Sequence, residues 1–436
     1  MTHVLFLTPY YPPENGAPMV RISETAKLLV ERGYQVTVLT TVPNYPSGIV
    51  PPEYRGHLIR CEIRDGIRVI RVWSYISPNK GFLRRILAQL SFGCLSPLLG
   101  WKEVGHPELI IIESPPLFDA IAGRMLAWLK HCPFIFTVAD LWPEVAIQMG
   151  ALRNPVLIWL ARWLEWSTYR RANLVWVVTE GILNTLIQRE FLPEHIFLLT
   201  NGVDTTKFRP LPKARARTEL GWDDRFTVLY GGSLGPSHGL ATLLKAAEQI
   251  RDRTDIHIVL AGDGAEKADL EAIALRLDLR NVTFLGSQPH NLMPLLLAGA
   301  DICLVPGLKV SINESVLPFK MFETMASARP ILLAMDGEAR RLAEQEAGAA
   351  IYVEPENPSA LASAILYLYE HPEEAELMGK RGRAFVEARF DRRQLTIALE
   401  AQINKLIGKV VEPAMPQEVT AVSSGFEKGP MYSTEK

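Results

Sequence analysis

A chain of 436 residues is long enough for two or three domains, and with 48% apolar and 22% charged residues it can bury proper cores, which excludes a disordered or fibrous protein. Its 46 basic and 48 acidic side chains leave a formal net charge of −2, which excludes polyanion binding by bulk charge, so any phosphate must be gripped locally. Cys61, Cys94, Cys132 and Cys303 stand far apart without a C-x-x-C pair, which argues against zinc or a disulfide framework and for reduced thiols in a cytoplasmic protein.

The opening MTHVLFLTPYYPP has neither a basic leader nor a small-residue cleavage site, so Val4–Thr8 predicts a first strand rather than a signal peptide. An amphipathic helix over Arg21–Arg32 follows, then strands at Val36–Thr40 and Ile67–Trp73. The apolar run Ile86–Trp101 falls short of the roughly 20 residues of a membrane span and contains Pro97. Arg84 and Arg85 before it suit a membrane surface; a buried helix-loop is the other expectation. After strands at Leu109–Glu113 and Phe134–Val138, the segment Pro155–Ala172 places Trp159, Trp163 and Trp166 at helical spacing ahead of Arg170 and Arg171. Such a stripe reads as core, with an interfacial role as its alternative.

Strands at Leu174–Val178 and Ile196–Leu199 close the first half, and the turn Asn201-Gly202-Val203-Asp204 marks a break. The second half repeats the alternation, with strands at Thr227–Gly231, Ile256–Ala261, Val282–Leu285, Ile302–Val305, Ile331–Ala334 and Ile351–Val353. Its amphipathic helices fall at Ala241–Arg251, Lys267–Leu277 and Pro358–Tyr369. Thirteen strands exceed one open twisted sheet, so the expectation is an α/β protein of two doubly wound domains. Their expected bounds are 1–200 and 201–391, with a helix at about 392–409 free to pack back on the first domain and a disordered tail over 411–436.

No phosphate-binding G-x-x-x-x-G-K-[ST], H-E-x-x-H, strand-to-helix G-x-G-x-x-G or D-x-D occurs. Two glycine-rich turns do follow strands: Gly231-Gly232-Ser233-Leu234-Gly235 and Gly262-Asp263-Gly264. Turns of this kind bring backbone N–H groups to an anion, and open α/β sheets bind ligands at these strand ends. The segment Asn313–Ala326 reads as a loop, a proline at a helix start (Pro318), and a helix carrying Lys320 and Glu323 three residues apart on one face. A carboxylate there can accept from a ribose diol while the ammonium neutralises a phosphate. A surface ion pair is the alternative use of that spacing.

The order of these segments resembles the GT-B-fold glycosyltransferases, specifically the retaining family-4 transferases that use nucleotide-sugar donors. Glu323-Thr324-Met325-Ala326 with Arg329-Pro330 matches the second half of that family's paired-glutamate motif, whose second glutamate binds the donor ribose. The likeness extends to the subgroup that builds bacterial capsule, O-antigen and exopolysaccharide. Its proline-serine-lysine-x-x-glutamate signature stands here as Pro318-Phe319-Lys320-Met321-Phe322-Glu323. Tyr10–Gly16, Pro43–Pro46, Asp65–Val69, Asp140-Leu141-Trp142-Pro143-Glu144 and Asn201–Asp204 resemble it as well, so the likeness covers roughly residues 1–400. There are departures. Ser315, not glutamate, stands eight residues before Glu323, beside Glu314, and either can take the first-glutamate role. Ser233 and His238 occupy the places of the arginine and lysine that grip the donor diphosphate in the wider family.

The resemblance implies two Rossmann-like domains facing across a cleft. Gly232, Ser233, His238, Gly264, Ser315, Pro318, Lys320 and Glu323 would form the donor site, Lys320 and Asp140 would serve the chemistry, and Gly16, Ala17 and Arg21 would line the acceptor side. Helix N-capping is the other use of Asp140, and His238 adds charge only if protonated. The implied reaction moves a sugar, with retention and without a metal or cofactor, from a nucleotide-diphosphate sugar to a polyprenyl-diphosphate-linked saccharide at the inner membrane face; no nucleic acid is implied. A nucleotide-sugar 2-epimerase on the same fold and a non-catalytic sugar- or nucleotide-binding partner are the alternatives.

Overall fold

The computed structural model describes residues 1–409 apart from 15, 46–47 and 77–81, and the tail expected to be disordered, 411–436, lies outside the described residues. The first sheet comprises β1 His3–Leu7, β2 Gln35–Thr41, β3 Ile59–Arg64, β4 Ile67–Val72, β5 Leu109–Ser114, β6 Phe134–Val138, β7 Leu174–Val177 and β8 Ile196–Leu198. Its strand order is β3-β4-β2-β1-β5-β6-β7-β8. The second comprises β9 Phe226–Gly231, β10 Ile256–Ala261, β11 Val282–Gly286, β12 Ile302–Pro306, β13 Ile331–Ala334 and β14 Ala350–Tyr352, ordered β11-β10-β9-β12-β13-β14. Every pairing is parallel except β3 with β4.

Parallel strands need both faces covered, and their Val/Ile/Leu runs supply the apolar surface for it. Each sheet accordingly has a core on either side. Leu5, Leu7, Ile110, Ile112 and Phe136 pack on one face of the first sheet, and Val4, Phe6, Ile111, Ile135 and Trp176 on the other. The second is divided in the same way between Leu229, Val259 and Leu333 and Val228, Ile258 and Leu332.

One strand escapes the sequence pattern. β3 (IRCEIR) alternates exposed and half-buried residues at the sheet edge, so it never shows the apolar run of its neighbours. It is held by a two-residue hairpin in which Asp65 and Gly66 both have positive φ, 51° and 76°, the geometry that matches strand twist. The run Ile86–Trp101, up to Gly100, belongs to the helix Phe82–Gly100, which encloses Pro97 and buries Phe92. The Trp159 and Trp163 stripe corrects the core expectation: both rings lie on the exposed side of the helix Pro155–Tyr169, and only Trp166 packs inward, against Phe191. Among the described residues no helix is long and apolar enough to cross a membrane.

The helix Arg392–Leu406 leaves the second sheet and returns to the first, where Leu399 and Ile403 join Val4, Phe6 and Ile22 in one buried cluster. The chain therefore crosses between the halves twice. The two crossings lie side by side: the Val203 amide donates to Phe390 O and the Arg392 amide to Val203 O, each at 3.0 Å.

Candidate active site

In a doubly wound sheet the ligand crevice opens where strand order reverses, at the carboxyl ends of the strands. The reversal falls between β9 and β12 in the second sheet and between β1 and β5 in the first. The segments that leave these four strands carry most of the residues singled out by sequence.

The turn after β9 and the turn after β10 are laced together. Gly232 N donates to Ala261 O and Leu234 N to Asp263 O, both at 2.9 Å, while Gly262 N donates to Gly286 O at 2.8 Å. A Cβ on Gly262 would overlap the Gly232 carbonyl, and one on Gly264 the Leu234 carbonyl. These two glycines permit close backbone packing, and the Gly264 amide is taken by its neighbour Asp263 Oδ1 at 2.7 Å. Among the described residues, no hydrogen bond is donated by the amides of Ser233 or Gly235.

Lys320 lies over this turn. The Gly232 φ of +148° is a conformation that favours glycine, and a Cβ there would stand 2.9 Å from Lys320 Nζ. Nζ donates to the Tyr230 hydroxyl at 3.1 Å, 4.2 Å from the centre of that ring, and the hydroxyl donates onward to Ser233 O at 2.5 Å. Tyr230, the penultimate residue of β9, thus pins both the lysine and the turn. Burial pulls the Lys320 pKa down to about 7, with Glu323 opposing. His238 is corrected as a source of charge: burial, then Lys320, lower its pKa to about 3, so the ring is neutral at pH 7.

Pro318 stands at the N-cap of the helix Phe319–Ala326, which carries Lys320 in its first turn and Glu323 in its second. No surface ion pair joins the two, because each has its own partner. Glu323 Oε1 lies 3.1 Å from His290 Nε2, and His290 Nδ1 lies 3.2 Å from Lys207 Nζ. Since an ammonium can only donate, Nδ1 accepts and Nε2 carries the proton given to Glu323. Burial, then Lys207 and Arg392, lower the His290 pKa to about 4, so the ring is neutral. Glu323 is pushed up to about 7 by burial and then by Glu24, against Lys207, Arg392 and Lys320. Its second oxygen accepts no hydrogen bond among the described residues, and 13% of the side chain remains exposed.

Ser315 lies at the junction of the halves: a Cβ on Gly181, in the first turn of the helix Glu180–Gln188, would overlap its Oγ. Glu314 beside it is exposed. At the same junction the Glu338 carboxylate accepts from the amides of Glu180 and Gly181, both at 3.0 Å, and Arg341 pairs with Glu180 at 2.9 Å. A carboxylate from one half thereby caps a helix of the other.

On the first sheet, Gly16 is the N-cap of the helix Ala17–Glu31; the side chain of Ala17 lies outside those described. The loop before it is fixed by Glu14, whose Oε1 accepts from the amides of Asn44 and Tyr45 at 2.6 Å. Arg21 points into the reversal between β1 and β5, where it is buried, pairs with Glu113 and donates to Asn201 Oδ1 at 3.2 Å. Burial lowers its pKa to about 10, with Asp140 opposing. Asp140 follows β6 and is raised to about 6 by burial, with Arg21 opposing. It does not cap the next helix, Glu144–Gln148, whose N-cap is Pro143. Arg392 acts on the charges of both sides, Arg21 and Glu323, and pairs with Glu24 at 2.9 Å. Sequence reasoning missed Tyr230, Lys207, His290, Glu113, Glu24 and Arg392, and only Tyr230, just before a glycine turn, carried any local signal.

Residues 212–385 match the family model described as Glycosyl transferases group 1, and residues 16–202 the one described as Glycosyl transferase 4-like domain. WcaI of Escherichia coli, named as a glycosyl transferase of colanic acid biosynthesis, is 28% identical over 369 residues, 81% of this chain and 89% of its own. A GDP-mannose-dependent alpha-(1-6)-phosphatidylinositol monomannoside mannosyltransferase of Mycobacterium tuberculosis is 30% identical over 405 residues, 89% of this chain and 95% of that one. Sucrose-phosphate synthase of Thermosynechococcus elongatus shares the fold, with a TM-score of 0.74 at 21% identity over 94% of this chain and 100% of that structure.

Proposed function

We propose, for a chain that belongs to the family-4 glycosyltransferases and has their GT-B fold, that it moves a sugar with retention from a nucleotide-diphosphate sugar to a lipid-linked saccharide in cell-surface polysaccharide biosynthesis. The observation that carries this is the pairing of Lys320 over the Gly232 turn with Glu323 one helical turn further on. The lysine meets the diphosphate, and the free oxygen of Glu323 accepts from the ribose diol. Cleavage of the anomeric C–O bond gathers charge on the departing diphosphate while the sugar becomes oxocarbenium-like. Preorganised donors that meet this charge lower the barrier, here Lys320 with the amides of Ser233 and Gly235.

Because Tyr230 holds Nζ in place, little reorganisation is needed as charge develops. No protein nucleophile is invoked: the acceptor hydroxyl attacks the face that the leaving group vacates and passes its proton to the diphosphate. Asp140, paired electrostatically with Arg21, orients the sugar or the acceptor hydroxyl. The cationic side chain supplies the counter-charge, so transfer persists in the presence of a chelator. The donor name of the mycobacterial relative, GDP-mannose, and its lipid acceptor support the assignment of both substrates, and a lipid acceptor implies work at the inner membrane surface.

A thermal-shift panel of UDP, GDP, ADP and dTDP with their sugar conjugates tests the donor site, because a ligand of the native state raises its apparent stability. A selective shift that disappears in Glu323→Ala supports the assignment. Absence of any shift, or an equal shift in the variant, overturns it.

A further inference from the structure

We infer that the outer face of the helices Asp119–Lys130 and Pro155–Tyr169 docks on an anionic phospholipid bilayer. On the second helix the buried side is Ala161, Glu165, Thr168 and Tyr169, while Val156, Trp159, Leu160 and Trp163, spaced i, i+3, i+4 and i+7, form a stripe that points away from the protein. Trp159 is 63% exposed and Trp163 56%, and across from them Trp128 is 72% exposed. An apolar stripe normally turns to the core; here it faces out on two neighbouring helices, as in surface-lying membrane helices.

The charges on this face name the occupant. The only acidic residues of the two helices, Asp119 and Glu165, are fully buried, so neither helix presents an exposed carboxylate. Around the stripe stand Arg124, Lys130, Arg153, Arg170 and Arg171, none in an ion pair among the described residues. A groove of about 710 Å³ runs between the helices, lined by Met125, Trp128, Trp163 and Leu164 together with Arg124 and Arg171. Two guanidinium groups beside indole rings suit lipid phosphates above acyl chains. Lys130 extends the cationic border to Trp101, 5.5 Å from that ring. A second copy of the chain would bring the same positive face against itself, whereas an anionic bilayer complements it.

This docking goes beyond the transfer reaction and stands on the surface alone. Co-sedimentation of the full chain with vesicles of phosphatidylethanolamine and phosphatidylglycerol (3:1), and with pure phosphatidylcholine, tests it. Binding is expected for the anionic vesicles only, weakening with salt. Arg170→Gln with Arg171→Gln should weaken it by about 30-fold, roughly fivefold for each charge removed. Trp159→Ser with Trp163→Ser should abolish it and the accompanying blue shift of tryptophan emission. The nucleotide-induced thermal shift, retained in both variants, shows that they are folded and separates this test from that of the donor site. Equal binding of the variants, no binding to anionic vesicles, or a wild-type dimer in solution that the tryptophan variants convert to monomer each overturns the inference.

Discussion

Donor binding should exchange protons with a sign that reverses near pH 7. Lys320, held down to about 7, takes up a proton where it is neutral as the diphosphate arrives. Glu323, pushed up to about 7, loses one where it is protonated, because the ribose diol needs an acceptor. At pH 8 about nine-tenths of Lys320 is neutral and about one-tenth of Glu323 is protonated, so roughly 0.8 proton is taken up per donor bound. At pH 6 the fractions exchange and roughly 0.8 proton is released. His238 and His290, lowered to about 3 and 4, stay neutral throughout and add nothing. The assay is titration calorimetry in buffers of different ionisation enthalpy, using the nucleotide sugar, because the terminal phosphate of a free diphosphate itself titrates near pH 6. Lys320→Met should remove the uptake at pH 8 and leave the release at pH 6, and Glu323→Gln should do the reverse. Uptake at pH 8 that survives in Lys320→Met would refute the placement of the lysine on the phosphate.

Tyr230→Phe deprives Lys320 of its acceptor and Ser233 O of its donor, so donor affinity should fall about five- to tenfold, or about 1–1.5 kcal/mol, in titration calorimetry. Unchanged affinity would mean that the hydroxyl does not position the lysine. Gly262→Ala forces a Cβ into the Gly232 carbonyl and should cost about 2–4 kcal/mol in urea unfolding of the second half; wild-type stability would contradict the turn-on-turn packing. Glu338→Ala frees the amides of Glu180 and Gly181 and should cost about 1–2 kcal/mol, with a larger radius of gyration in small-angle scattering if it also loosens the halves.

What was legible in sequence was what neighbours along the chain decide. Strands buried on both faces read as β-branched runs, and Pro318, Lys320 and Glu323 share a single helix start. β3 was illegible because an edge strand buries no continuous run, although its Asp65-Gly66 turn was a hairpin signal. The partners of Glu323 were illegible for another reason. Lys207, His290, Glu24 and Arg392 come from four separate segments, and only the fold brings them together. The tryptophan stripe shows the limit of periodicity: spacing establishes that Trp159 and Trp163 share a side of a helix, but which side faces the protein is decided by what packs on the opposite one.

The paired crossings at Val203 and Phe390–Arg392 also constrain how the halves can move. A single covalent thread would let one half swivel freely about it. Two threads laid abreast and hydrogen-bonded to each other act as two pins of one hinge, leaving bending as the easy motion and opposing twist. Arg392, at the end of one pin, pairs with Glu24 and lies within the field of Glu323, so the Glu323 carboxylate sits close to the axis, where a given rotation produces the smallest displacement. Opening and closing can therefore carry the far wall of the cleft a long way while barely disturbing the Glu323 carboxylate.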